Sequence, residues 1–222
     1  MDRYLRNIGA ISAEEQQMLR QCSVCIVGLG GLGGYILEFA ARLGIGSITG
    51  IDFDRFETSN LNRQLLSASG NIGSEKAAAA KQRVQAVNNE VRFTPISEKL
   101  TAANAAQLLA GHDLVFDALD SAEGRLVLAY ACSGLNIPLV HGAINGWSGQ
   151  AAVIYPGDET LKQLYAQGNS KQTPASLSFT PAAVAALQGS LAVRVLLGRE
   201  VPLPGMLYLL DLLTFELTQL PV

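Results

Sequence analysis

The sequence predicts an α/β fold: a mostly parallel twisted sheet with helices on both faces and an antiparallel extension at the C-terminal end. Three observations carry this. A short β-rich apolar run from Ser23 ends in Gly28-Leu29-Gly30-Gly31-Leu32-Gly33 and passes at once into the amphipathic segment Tyr35–Gly44. Strand-like and helix-like segments then alternate as far as Tyr155, the pattern of parallel strands joined by right-handed crossovers. Finally, Met206–Leu212 and Thr214–Leu220 read as two strands with no helix between them, which makes them antiparallel.

The elements follow in order. Residues 1–21 form an arm, with Arg3-Tyr4-Leu5-Arg6 and then a helix capped by Ser12, whose partner Glu15 lies three residues on as in a capping box. The strand, glycine turn and helix from Ser23 aim backbone N–H groups and the positive end of a helix dipole at one place. Glycines at Gly28, Gly30, Gly31 and Gly33 let a phosphate come close to the backbone while the chain reverses. The next strand, Ser47–Ile51, ends at Asp52, whose spacing from Gly33 suits a carboxylate on the ribose of a nucleotide. This is a Rossmann-like arrangement.

Residues 51–73 read as a long polar loop, and long loops in compact domains are often functional. A helix over Ser74–Asn88 has Lys76 in its first turn, where a cation opposes the dipole and invites an anionic neighbour. Val91–Ser97 reads as a strand, Thr101–Ala110 as a helix and Asp113–Ala118 as a buried strand that leads to Asp120. Open α/β sheets place ligands beyond such carboxyl ends. Next come a helix over Glu123–Leu135, a strand over Pro138–Gly142, a glycine-bearing turn over residues 144–150 and a strand over Ala151–Tyr155. Residues 157–180 read as a mobile loop, and Pro181–Leu197 as a buried helix. One domain spans 1–222: the arm (1–21), a nucleotide-binding core (22–156), the loop (157–180) and the closing helix and strands (181–222).

Composition bounds the function. With 222 residues, 49% of them hydrophobic and 16% charged, the chain buries a large core. A net charge of −3 gives no electrostatic reason to expect nucleic acid or an acidic membrane as a main partner. The N-terminus has no apolar core like that of a signal peptide, and Pro181–Gly198 is too short and too interrupted to span a bilayer. These features point to a cytoplasmic protein. Cys22 and Cys25 form a C-x-x-C, but Cys25 lies within the first strand and no second pair completes a zinc site. Cys25 and Cys132 read as core residues, His112 and His141 as structural, and Trp147 and Tyr165 as packing or loop residues.

Asp52-Phe53-Asp54 and Ser59-Asn60-Leu61-Asn62-Arg63-Gln64, after the glycine turn, are more specific than the turn alone. With Arg3-Tyr4-Leu5-Arg6, residues 72–76 and Asp117-Ala118-Leu119-Asp120, they resemble the ThiF/MoeB/HesA family, bacterial relatives of ubiquitin-activating enzymes. The resemblance implies ATP- and Mg²⁺-dependent adenylation of the C-terminal Gly-Gly carboxylate of a ubiquitin-like sulfur carrier in a thiamine, molybdopterin or related pathway. It implies phosphate-binding cations at Arg63 and Lys76, a Mg²⁺ ligand at Asp120, a ribose contact at Asp52 and further nucleotide contacts at Asp54, Asn60 and Gln64. It also implies a homodimer in which Arg6 enters the partner's site. These roles suit the reaction, which needs neutralisation and alignment of two anions.

The chain departs from the family pattern in three places. Pro156-Gly157-Asp158 and Pro221-Val222 stand where many members carry zinc-binding C-x-x-C pairs, so no zinc is expected. Residues 171–176 hold no cysteine for sulfur transfer, and Ser121 follows Asp120 where asparagine is common. Other readings are adenylation of a peptide or tRNA-linked carboxylate, a NAD-dependent oxidoreductase, and a nucleotide-binding scaffold without turnover. The acidic pI of about 5.4 argues against tRNA. No catalytic His or Tyr-Lys arrangement supports hydride transfer, and the presence of Arg63, Lys76 and Asp120 argues against a scaffold.

Overall fold

The computed structural model describes residues 2–165 and 175–222. Its strands are β1 (Ser23–Val27), β2 (Ser47–Ile51), β3 (Arg92–Ile96), β4 (Leu114–Asp117), β5 (Leu139–Asn145), β6 (Ser148–Ile154), β7 (Met206–Asp211) and β8 (Glu216–Pro221). They form one sheet in the order β3-β2-β1-β4-β5-β6-β7-β8. The first five are parallel, and β6, β7 and β8 join antiparallel. The helices are α1 (Ala13–Leu19), α2 (Gly31–Leu43), α3 (Lys76–Val87), α4 (Ala105–Leu109), α5 (Ala122–Gly134), α6 (Thr160–Tyr165) and α7 (Phe179–Leu197).

Both faces of the parallel strands are buried, which is why β1 is apolar almost throughout. Val24 and Ile26 face one core, with Ile36, Leu37, Ala80, Val84 and Leu191 from α2, α3 and α7. Cys25 and Val27 face the other, with Leu109, Leu128, Cys132 and Leu161 from α4, α5 and α6. The helix α7, long and apolar enough by composition to cross a membrane, lies on α2 and on β4, β5 and β6. Pro95 sits in β3, at an edge of the sheet, where a missing N–H breaks no central ladder.

At the start of the chain, Ser12 caps α1 as expected: its Oγ accepts from the Glu15 N–H (3.2 Å), and Glu15 accepts from the Ser12 N–H (2.7 Å). The arm before it is seated by Tyr4, which is buried and accepts a hydrogen bond from Asn88 Nδ2 (2.8 Å); Asn88 also donates to the Ala41 carbonyl (2.7 Å). His112 is structural as read, bridging the Leu109 carbonyl (2.9 Å) and Thr49 Oγ1 (2.8 Å).

Three readings need correction. The stretch 144–150 is largely strand: β5 and β6 pair up to Asn145 and Ser148, leaving only Gly146 and Trp147 as the turn. Gly146, at φ +60°, takes the first position of that two-residue connection. The other glycines nearby mark the close passage of α7. A Cβ on Gly149 would lie 2.3 Å from Val184 Cγ2, and one on Gly142 2.3 Å from Gln188 Oε1. The helix read over Thr101–Ala110 shrinks to α4, because Asn104 Oδ1 caps the Thr101 N–H (2.7 Å) in a preceding turn. The loop read over 157–180 contains α6 and the start of α7; residues 166–174 of that reading lie outside the described residues.

Residues 156–158 and 222, distant in sequence, line one open cleft of about 410 Å³. Asp158 joins its walls, accepting from Thr160 N–H (2.8 Å) and Oγ1 (2.5 Å) and from the Gly205 N–H (3.2 Å), while the Gly205 carbonyl accepts from Val222 (2.8 Å).

Candidate active site

Four segments converge at the carboxyl ends of β1, β2 and β4. In the turn after β1, Gly28 has φ +91° and donates to the Ile51 carbonyl (2.8 Å). A Cβ on Gly28 would fall 2.6 Å from the Ala118 carbonyl oxygen, and one on Gly33 would fall 1.8 Å from the Gly28 oxygen. Side chains are thus excluded at both positions, and the turn lies backbone to backbone against Ala118-Leu119. Among the described residues no side chain caps the N-terminus of α2 at Gly30, which leaves its first N–H groups and dipole open to an anion there.

The second segment begins at Asp52, whose Oδ2 accepts from the Leu29 N–H (2.7 Å) and whose Oδ1 accepts from Asp54 N–H (2.8 Å). Lys76, at the start of α3, brings Nζ to 3.0 Å from Asp54 Oδ2 and 3.9 Å from Asp52 Oδ2. The anionic neighbours expected for Lys76 are therefore these two aspartates. Burial pushes the Asp52 carboxyl above its usual range, outweighing the Lys76 ammonium and the two backbone N–H groups. Lys76 is 6% exposed and Asp52 8%, so this pair is close to dry and responds strongly to a third charge, while the Asp54 carboxylate faces solvent.

The third segment is the loop through Asn60 and Gln64. Asn60 builds it: its Oδ1 accepts from Glu57 N–H (3.0 Å), and its carbonyl from the N–H groups of Arg63 (3.1 Å) and Gln64 (2.9 Å). Gln64 folds over the glycine turn, with Nε2 3.4 Å from where a Gly30 Cβ would stand. Its Oε1 is buried with no partner among the described residues. A buried orphan acceptor is costly, and beside a glycine turn it fits a donor from a bound molecule. Arg63 is half-buried; its Nη1 donates to the Ser59 carbonyl and Asn62 Oδ1 (2.9 Å each).

The fourth segment is the turn after β4. Ser121 caps α5, its Oγ accepting from Gly124 N–H (3.2 Å). Asp120, just before that cap, is exposed and hydrogen-bonds no described residue. A free, hard carboxylate next to a phosphate-sized turn suits a divalent cation.

A ThiF family model matches residues 4–222. The chain belongs to the ThiF family. ThiF proteins are ubiquitin-activating-enzyme-like adenylyltransferases that use ATP, and this chain is one of these enzymes. It is 35% identical to the sulfur carrier protein adenylyltransferase of Thermus thermophilus, over 100% of this chain and 87% of that protein. It is 32% identical to the SAMP-activating enzyme E1 of Haloferax volcanii (97% and 84%) and 31% identical to the molybdopterin-synthase adenylyltransferase of Escherichia coli (99% and 92%). Among solved structures, E. coli MccB with ATP superposes with a TM-score of 0.84 at 21% identity, covering 100% of this chain and 71% of that one. That likeness concerns the fold.

Of the residues expected in the site of this ThiF protein, the structure brings together Gly28, Gly30, Gly31, Gly33, Asp52, Asp54, Asn60, Arg63, Gln64, Lys76 and Asp120. It keeps Arg6 apart. Arg6 is exposed in the arm between Tyr4, seated at the Gly44 end of α2, and Asn7, bound to Gln16, which in turn donates to the Leu43 carbonyl (2.8 Å). The glycine turn is at the other end of the same thirteen-residue helix, about 20 Å away. Sequence reasoning missed Arg125, which hydrogen-bonds the Leu119 carbonyl from Nε (3.2 Å) and Nη2 (2.7 Å) and so holds the Asp120 turn. The signal was present: Arg125, like Lys76, is a cation close to a helix N-terminus.

Proposed function

We propose that this ThiF protein adenylates the C-terminal Gly-Gly carboxylate of a ubiquitin-like sulfur carrier, with ATP and Mg²⁺, as a cytoplasmic homodimer. The observation that carries the reading is the buried Asp52–Lys76 pair, tied by Asp52 to the glycine turn and flanked by the exposed Asp54. A nucleotide whose ribose reaches Asp52 sets its phosphates on the turn, where α2 points its dipole and Lys76 lies within reach.

In the reaction, a carboxylate oxygen forms a bond to the α-phosphorus while the bond from that phosphorus to the bridging oxygen of the β-phosphate breaks. Pyrophosphate leaves with the electron pair, and no proton needs to move. The protein's task is to align two anions and offset their repulsion. Lys76 turns from Asp54 toward the phosphates and Arg63 adds its guanidinium fork; Asp120 would hold Mg²⁺, which would supply charge neutralisation on the phosphates. Arg6 serves the partner's site; its distance from the glycine turn of its own chain supports that reading. The names of the relatives, which include adenylyltransferases of sulfur carrier and molybdopterin synthase proteins, support the acceptor.

The test is ATP–pyrophosphate exchange with Mg²⁺, with and without a Gly-Gly-ended ubiquitin-like protein of the same genome. Carrier-dependent exchange is expected. Firm ATP binding without exchange, for every carrier tried, would overturn the acceptor.

A further inference from the structure

Beneath the turn from Asp117 to Asp120 lies a closed ring of side chains that adenylation chemistry does not itself call for. Asp117, fully buried at the end of β4, accepts at Oδ1 from the Leu119 N–H (3.0 Å) and has Oδ2 2.7 Å from His141 Nδ1 on β5. His141 has no exposed surface, and burial lowers the pKa of its imidazole even with Asp117 beside it. The ring is thus neutral, donating from Nδ1 and accepting at Nε2. Nε2 is 3.2 Å from Tyr165 Oη of α6 and 3.1 Å from Gln150 Nε2 of β6. Tyr165 Oη accepts from Arg125 Nη1 (2.5 Å) and Gln150 Nε2 (3.2 Å), and the Arg125 guanidinium lies 5.0 Å from the centre of the tyrosine ring. Through the Leu119 carbonyl, Arg125 closes the circuit back to the chain that began at Asp117.

Burying a carboxylate, an imidazole and a guanidinium together is a poor way to gain stability, since apolar side chains of like volume do as well or better. What this arrangement secures is orientation. The Leu119 N–H is held by Asp117 and the Leu119 carbonyl by Arg125, so both peptide planes flanking Leu119 are fixed. The second of those planes carries the Asp120 nitrogen.

We infer that His141 and Tyr165 are positioning residues which, through Arg125 and Leu119, hold the Asp120 carboxylate in the orientation that receives Mg²⁺–ATP. The inference rests on the assignment of Asp120 made above. Neither residue touches the nucleotide.

Tyr165→Phe removes the hydroxyl and keeps the ring. His141→Asn keeps a donor for Asp117 and loses the acceptor for Tyr165, so both cut the same link while Asp117 stays paired. Calorimetric titration with ATP, in Mg²⁺ and separately in EDTA, reads the effect. Each variant is expected to weaken binding in Mg²⁺ by about three- to tenfold, the span of one neutral hydrogen bond. Binding in EDTA and the carrier's KM should stay unchanged, and kcat should fall. The double variant should be no weaker than either single one, because the two changes break one link. Equal losses in Mg²⁺ and EDTA, additive losses in the double variant, or no loss would each overturn the inference. Asp120→Asn separates the two assignments. If it keeps the advantage of Mg²⁺, the Asp120 assignment falls and the positioning role with it. If it erases that advantage while Tyr165→Phe and His141→Asn retain it, only the positioning role falls.

Discussion

Gly33→Ala tests whether the phosphate end of α2 is built backbone to backbone. Gly33 lies in the first turn of the helix with ordinary helical φ, so alanine there carries no conformational penalty and gains about 1 kcal/mol of helix propensity. Against that gain, the new Cβ would lie 1.8 Å from the Gly28 oxygen and 2.8 Å from its carbon. Neither atom belongs to a side chain that could swing aside, and Gly28 is itself pressed on Ala118, so the turn or the helix must shift as a unit. Overpacking costs ~1–3 kcal/mol, and a backbone-on-backbone clash belongs at or above the upper limit. The net loss is then ~2 kcal/mol, or about 4–8 °C in Tm for a chain of this size. ATP affinity should fall with it. Gly31→Ala is the control: it lies in the same turn, but its Cβ would stand 3.6 Å from Pro181 Cβ, an ordinary contact. Thermal unfolding should place Gly31→Ala at or above the parent and Gly33→Ala well below it. A Gly33→Ala protein as stable as the parent would refute the close approach, and with it the account of why this turn admits phosphate.

Four further outcomes are expected. Arg6→Ala and Asp120→Ala, each inactive alone, should regain part of the exchange activity when mixed and allowed to form heterodimers; verified mixed dimers with no activity would leave Arg6 no role in trans. Lys76→Ala should lower pyrophosphate exchange by about 10²–10³-fold, as for loss of one preorganised stabilising group, with its circular dichroism unchanged; near-normal exchange would remove Lys76 from the phosphates. Burial would raise the pKa of Glu38, but Arg83 and Arg42 outweigh it and hold the carboxyl below its ordinary value. The unfolded chain therefore binds the proton more tightly, and the stabilisation is complete above the ordinary carboxylate value and is lost as pH falls through the folded one. Unfolding at neutral pH and at about pH 3 should show the parent's advantage over Glu38→Gln shrinking with acid; a constant difference would refute it. Asp158→Ala should cost ~1–3 kcal/mol by leaving Gly205 and Thr160 without their acceptor, read as a lower denaturant midpoint; an unchanged midpoint would mean that Asp158 does not join the cleft.

The β1–turn–α2–β2 unit was legible because every cue agreed: an apolar strand, glycines where a side chain cannot fit, and an acid at the next strand's tip. Lys76 was legible for a similar reason, as a cation placed against a dipole. The hairpin of β5 and β6 was not, because Gly142 reads as the end of a strand and Gly149 as part of a turn. Their reason is tertiary, the close passage of Val184 and Gln188 of α7. The short helix α6 was hidden for want of a long apolar period; it docks on α5 through Leu161 and Tyr165 rather than by its own pattern. Within the site, Asp52 was legible from its spacing after Gly33 and Asp120 from its place beyond the end of β4, whereas the reading of Gln64 and the metal role of Asp120 came from a family pattern. The scaffold work of Asn60 and Arg125 depends on which carbonyls and N–H groups they meet, and no spacing along the chain discloses that.

One helix serves both ends of the molecule. At its N-terminus α2 exposes N–H groups beside Gly30, and at its C-terminus Gly44, with φ +77°, gives way to the Tyr4 ring, whose Cζ lies 2.5 Å from where a Cβ would stand. Both ends are seated against backbone or an aromatic ring, so the helix is specified in phase as well as in length. Adding one residue would advance one end by about 1.5 Å and rotate it by about 100° relative to the other. The Tyr4 seat or the phosphate turn would then face the wrong way. An insertion in α2 is therefore less tolerable than a larger one in the loops above it, and the interval from Gly30 to Gly44 acts as a fixed gauge between the nucleotide and the arm.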